Sequence, residues 1–227
     1  IIPEVVASLP DLRTGKEKSF VMPTDCPVCK QPLFKQPKEA IWRCVNFDCP
    51  ALERGRIIHF ASKAAFDIEG LGEKNVDALL DANLIEDVAD LFSLTPEKVV
   101  GLERFADISS TKLTRAIQSK KSITLDRFLF GLGIRHVGAQ TARDVAEHFG
   151  SLSALRTAKL EDLKEVPGIG EVVAASLREW LQSSRHQKLL SKLEAAGVHP
   201  AALKTASGPL MGKRLVITGT LESMGRD

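Results

Sequence analysis

The chain has 227 residues, 44% hydrophobic and 26% charged, with a formal net charge of +2 and a pI near 8.4. This is ordinary globular composition, and a dedicated basic domain usually sits above a pI of about 9, so nucleic acid is permitted as a partner but not announced. No apolar run approaches the ~20 residues that span a membrane, which excludes a helical integral membrane protein.

No signal peptide opens the sequence, which starts at Ile1, and a strand-like segment precedes Asp227. The expectation is a piece cut from a longer protein. Residues 1–7, IIPEVVA, are predicted as the last strand of something upstream, and LPDLRTGKEKSF as a linker or edge strand.

All four cysteines then fall between positions 26 and 49, leaving none elsewhere to pair, which suits a reducing compartment. The pattern is Cys26-x2-Cys29, fourteen intervening residues, then Cys44-x4-Cys49. Two close pairs separated by a hairpin-length insert can place four thiolates at the corners of a tetrahedron. Zinc prefers that geometry, and an all-sulfur site with no open position is structural rather than catalytic. Cys26, Cys29, Cys44 and Cys49 are the predicted Zn2+ ligands. The alternatives are four reduced structural cysteines or two disulfides.

From Arg56 to about Val198 the pattern is helical, without convincing strand alternation. Thr95-Pro96, a capping residue before a proline, marks one helix start. Three turns repeat in this region: Gly70-Leu71-Gly72, His136-Val137-Gly138 and Gly168-Ile169-Gly170. Four residues after each second glycine stand Val76, Ala142 and Ala174, each opening an apolar helical stripe. The gap between the first two holds one more unit, RFADISSTKL, in which Ser109 is expected at the second-glycine position and Leu113 at the apolar one. The four units are then separated by 37, 29 and 32 residues. After them HPAALKTASGPL has linker composition, and KRLVITGTL reads as a buried strand.

Each unit is predicted to fold as helix, tight turn, helix. The first N–H groups of a helix lack intrahelical partners and carry the positive end of its dipole. At Gly168 and Gly170 no side chain caps them and no Cβ blocks approach to the main chain, so a phosphate can be held there. The expected contacts are Gly70, Gly72, Lys74, Arg135, His136, Gly138, Arg143, Gly168 and Gly170. Repeated anion sites match the regular phosphates of a nucleic-acid backbone, which position a protein without reading sequence. Aromatic residues make up 5% of the chain and tyrosine is absent. With so little material for base stacking, the expected ligand is duplex DNA, bound independently of sequence and with steep salt dependence.

Taken in order, IIPEVV, MPTDCPVC, WRC, HFASKAAFDIEGLGEKNVDALL, FLFGLGIRHVGAQTARDVAEHFGSL, LKEVPGIGEVVAASL and GKRLVITGTLESMGRD resemble the C-terminal part of bacterial NAD-dependent DNA ligases. The resemblance covers essentially the whole chain. It implies a mainly α fold: a small four-cysteine zinc finger before a tandem helix-hairpin-helix domain, with β remnants of an OB fold in front and of a BRCT domain behind. The implied boundaries are 1–20 for the end of the OB fold and linker, 21–55 for the zinc finger and 56–198 for the helix-hairpin-helix domain. A linker at 199–208 and a truncated BRCT domain at 209–227 follow.

That family joins a 3′-hydroxyl to a 5′-phosphate at a nick in double-stranded DNA, using NAD and Mg2+. An active-site lysine in a Lys-x-Asp-Gly motif first takes AMP from NAD. No Lys-x-Asp-Gly occurs in these 227 residues, so no catalytic residue is expected here, and NAD and Mg2+ would bind outside the chain. The resemblance also implies a monomeric, cytoplasmic, nucleoid-associated protein of replication and repair. The rival reading is a non-catalytic helix-hairpin-helix subunit of a repair or recombination complex. A zinc-containing protein-interaction scaffold, the third reading, leaves the paired glycines unexplained.

Overall fold

The computed structural model describes residues 6–36 and 40–203. The expected BRCT start at 209–227 lies outside those residues, as does most of the expected first strand. Among the described residues are ten α-helices and four short strands. The chain divides into two compact units, Ile1–Gly55 and Arg56–Asp227.

In the first unit, Val6 to Phe20 contain no strand; Pro10–Leu12 form a 3-10 turn with no buried residue. Strand β1 (Leu33–Phe34) pairs antiparallel with β2 (Arg43–Cys44), Leu33 opposite Cys44. Helix α1 (Pro50–Ala61) starts on Cys49, whose carbonyl accepts from the N–H groups of Leu52 and Glu53. Pro50 suits the first helical position because its missing N–H would have had no partner there. Among the described residues up to Gly55, only Cys26 and Cys49 are buried. Val28, Phe34, Val45 and Phe47 each remain more than half exposed. Its described residues form no apolar core to hold it.

The second unit does have one. Its helices are α2 (Glu73–Asp81), α3 (Pro96–Val99), α4 (Asp107–Ser119), α5 (Leu125–Gly131), α6 (Ala139–Phe149), α7 (Leu152–Thr157), α8 (Leu160–Lys164), α9 (Glu171–Gln182) and α10 (Ser184–Ala195). Helix α3 begins at Pro96 with Thr95 before it, as the dipeptide predicts. Phe60 and Phe66 stack at 3.7 Å between ring centroids, and the rings of Phe92 and Phe128 pack near Phe66. Arg127 donates from Nε to the Ala65 carbonyl and from Nη2 to that of Lys63, both at 2.7 Å, fastening α5 to the segment after α1.

Gly131 ends α5 against this aromatic cluster, and a Cβ there would stand 2.9 Å from Phe66 Cδ2. Phe66 is 1% exposed and cannot step aside. Overpacking of this kind costs about 1–3 kcal/mol, against roughly 1 kcal/mol gained by replacing a helical glycine. Gly131→Ala is therefore expected to lower the denaturation midpoint of the second unit, and an unchanged midpoint would show that the cluster yields.

Two expectations need correction in this unit, namely a purely helical pattern over 56–198 and a linker that begins at 199. Instead β3 (Ser122–Thr124) pairs in parallel with β4 (His199–Ala201), Ser122 opposite His199 and Thr124 opposite Ala201. Three residues are too few for any alternation to register, and the pairing partner is far away in the sequence. Lys192 of α10 closes a similar distance, with Nζ 2.5 Å from Asp87 and 3.3 Å from Asp90. Burial pushes the Asp90 carboxyl up, but the main-chain N–H groups of Glu86 and Asp87 together with Lys192 outweigh it and hold it below its ordinary value.

Candidate metal centre and nucleic-acid interface

The four predicted metal ligands converge: their sulfurs all lie within 4.8 Å of one another. Cys26 and Cys49 approach to 3.9 Å, Cys29 and Cys44 to 3.6 Å. Sulfurs bound to one tetrahedral zinc at about 2.3 Å stand roughly 3.8 Å apart, whereas a disulfide needs about 2.05 Å. The donor set fits zinc, and the two-disulfide alternative fails on distance. Local main chain builds the corner: Lys30 N–H donates to the Cys26 carbonyl, Cys26 N–H to that of Gln31, and Lys30 takes a left-handed φ of 59°. Hydrogen bonds from the Asn46 side chain and the main chain at Gln31 hold the Cys29 thiol down to about 6. Desolvation pushes Cys44 up to about 12. Ligation needs all four as thiolates, so metal uptake is coupled to proton release.

The hairpin turns share one geometry. Gly72, Gly138 and Gly170 each precede a helix in extended backbone, with φ of −80°, −81° and −85°, and no side chain caps the helix start. Two residues before each, the chain crosses to positive φ: 82° at Gly70, 65° at His136 and 81° at Gly168. The residue between turns inward, Leu71, Val137 and Ile169 all being buried. Its N–H donates back three residues, to Ile68, Ile134 and Val166.

The second hairpin has this same geometry three residues earlier than expected. Its turn is Arg104-Phe105-Ala106, with φ of 78° at Arg104, Phe105 buried and donating to Leu102, and Ala106 extended before α4. Ser109 is not the turn residue. It lies inside the first turn of α4, where its Oγ accepts from the Ala106 N–H at 2.8 Å, and its capping chemistry explains the misplacement. The helix-start residues are thus 72, 106, 138 and 170, separated by 34, 32 and 32 rather than 37, 29 and 32. The signal that could have found this turn is apolar: Leu102, Phe105 and Leu113 keep the spacing of Ile68, Leu71 and Leu79.

Under the corrected register Ser110 takes the place of Val76, Ala142 and Ala174, all four fully buried. Its Oγ has no hydrogen-bond partner. An unsatisfied buried polar atom costs about 1–3 kcal/mol. Ser110→Ala is expected to raise the melting temperature or leave it unchanged; a clear drop would mean that the hydroxyl has a partner in solution.

The first glycine of a turn answers to positive φ, but the second does not. A Cβ built at Gly72, Gly138 or Gly170 meets nothing within 4 Å. Neither conformation nor internal packing demands glycine at those three positions. Lys74, Arg135, His136 and Arg143 are all exposed. Arg143 is already engaged, donating from Nε to Glu147 at 2.9 Å, which raises its pKa.

Residues 25–51 match the family described as NAD-dependent DNA ligase C4 zinc finger domain, and residues 127–190 match the helix-hairpin-helix motif. The chain is 46% identical over its whole length to a DNA ligase of Anoxybacillus flavithermus, covering 34% of that protein. It is also 46% identical to a DNA ligase of Rubrobacter xylanophilus, over 97% of the chain and 33% of the relative. Over essentially its whole length the chain is similar to these DNA ligases. It spans about a third of the length of these curated ligases. Its two units correspond to a structural zinc finger and a helix-hairpin-helix region of a ligase, and no described helix is long and apolar enough to cross a membrane.

Proposed function

We propose that the chain is the duplex-gripping part of an NAD-dependent ligase that seals nicks in bacterial DNA. The observation carrying this reading is the open glycine at three helix starts. With no internal reason for a missing side chain at Gly72, Gly138 and Gly170, the space serves something outside the chain. Bare amides at the positive end of a helix suit a phosphate. Glu171, beside one such start, is offset by Lys164 at 3.2 Å.

The adenylation and sealing chemistry belongs to a Lys-x-Asp-Gly domain that these residues do not include, and NAD and Mg2+ bind with it. The chain alone does not ligate. It acts as a monomer on nicked double-stranded DNA in the bacterial cytoplasm, next to the nucleoid. Its zinc finger is structural and supports this grip without chemistry of its own.

Fluorescence anisotropy with labelled nicked duplex, intact duplex and single strand tests the reading. Tighter binding to both duplexes than to the single strand is expected, regardless of sequence, with affinity falling steeply as salt rises. Equal or tighter binding of the single strand would refute the duplex grip.

A further inference from the structure

We propose that the second hairpin also holds the duplex, through side chains along the body of α4 rather than through bare main chain at its turn. This rests on the reading that the hairpins bind duplex DNA. The first and second turns border a cleft of about 620 Å³, with Gly70 and Arg104 at its edge and Lys112 and Arg115 of α4 in its wall.

The placement of charge is specific to this hairpin. Six and nine residues beyond the helix start, α4 carries Lys112 and Arg115. The corresponding pairs are Ala78 and Asp81 in α2, Asp144 and Glu147 in α6, and Ser176 and Glu179 in α9. No other unit has a cation at either position. Among the described residues, Lys112 and Arg115 have no carboxylate partner, whereas Lys120, Arg143, Lys164 and Lys192 are all ion-paired. Ser109 and Ser119 lie in the same wall, and Glu69 is the one carboxylate lining the cleft.

The hairpin without glycines is thus the one whose helix carries cations at these two positions, neither of them ion-paired among the described residues. An Ala106 Cβ narrows main-chain approach to a phosphate, and long basic side chains restore contact from further back. The ligand class is the phosphodiester backbone of a duplex. Its phosphates reach this cleft by continuing past Gly70, one of the turns that the proposed grip already uses.

The test measures affinity of the whole chain for a labelled nicked duplex across a salt series. Each phosphate contact contributes about 0.9 to the slope of log K against log salt. Lys112→Ala with Arg115→Ala is expected to weaken binding and make the slope shallower by about 1.8. Lys112→Arg with Arg115→Lys, which keeps both charges, is expected to retain the wild-type slope. Both residues are exposed, and circular dichroism checks that each variant is folded. If the double alanine variant keeps the wild-type affinity and slope, the cleft is not a DNA contact. A parallel loss in a variant with its glycine turns blocked would leave the hairpin reading standing. If neither variant loses affinity, both readings fall.

Discussion

Removing zinc with a chelator is expected to unfold residues 25–51 while the second unit keeps its helices. The reason lies in what is buried. Up to Gly55 the described residues bury only Cys26 and Cys49, while Phe34 and Phe47 face solvent. A segment this small cannot hold itself by apolar burial. Structural zinc in such segments contributes an apparent ~10–16 kcal/mol, more than the whole stability of many domains. Amide signals from residues 26–49 are expected to collapse to the unfolded range on chelation, with the far-ultraviolet helical signal largely kept. Lowering the pH acts in the same direction, because protons compete with the metal for the four thiolates. Cys26→Ser with Cys44→Ser is expected to lose the metal; one equivalent of zinc surviving in that variant would overturn the ligand assignment.

The second large effect is expected from blocking the open helix starts. Threonine ranks with glycine as a helix N-cap, so Gly72→Thr, Gly138→Thr and Gly170→Thr leave helix stability nearly intact. The backbone at all three sites is extended, which any residue adopts, and a Cβ meets no neighbour. Each threonine fills the space proposed for a phosphate, and its hydroxyl can accept from the very N–H groups the phosphate would use. If each site contributes about 1.4 kcal/mol, the triple variant binds duplex roughly a thousandfold more weakly. Affinity within twofold of wild type in a folded triple variant would remove the phosphate role from these turns. Gly168 is a poorer choice for this experiment, because its φ of 81° adds backbone strain to any substitution.

The cysteine pairs were legible because their spacing alone fixes the chemistry, and the structure brings all four sulfurs together. The first, third and fourth hairpins were legible through their glycines. The second was found but placed three residues late. There Arg104 takes the positive φ usually left to glycine, and Ala106 takes the helix start, so no punctuation remains. Asp107 and Ser109 look like caps and draw the eye, although they lie within α4. Only the apolar set Leu102, Phe105 and Leu113, the first half-buried and the other two buried, keeps the repeat, and apolar residues are common enough to hide a register. The β3–β4 pair was illegible for a different reason. A three-residue parallel ladder is decided by what the surrounding helices bring together, not by local preference.

That ladder changes how the array comes apart. Tandem helical repeats usually touch only their neighbours, so they can melt inward from a free end. Here β4, at the far end, is stitched to β3 in the middle, and Lys192 is anchored at Asp87 and Asp90 near the start. Unravelling from β4 and α10 inward must break bonds belonging to the first half, so the helical unit is expected to lose its structure in one transition rather than from its end.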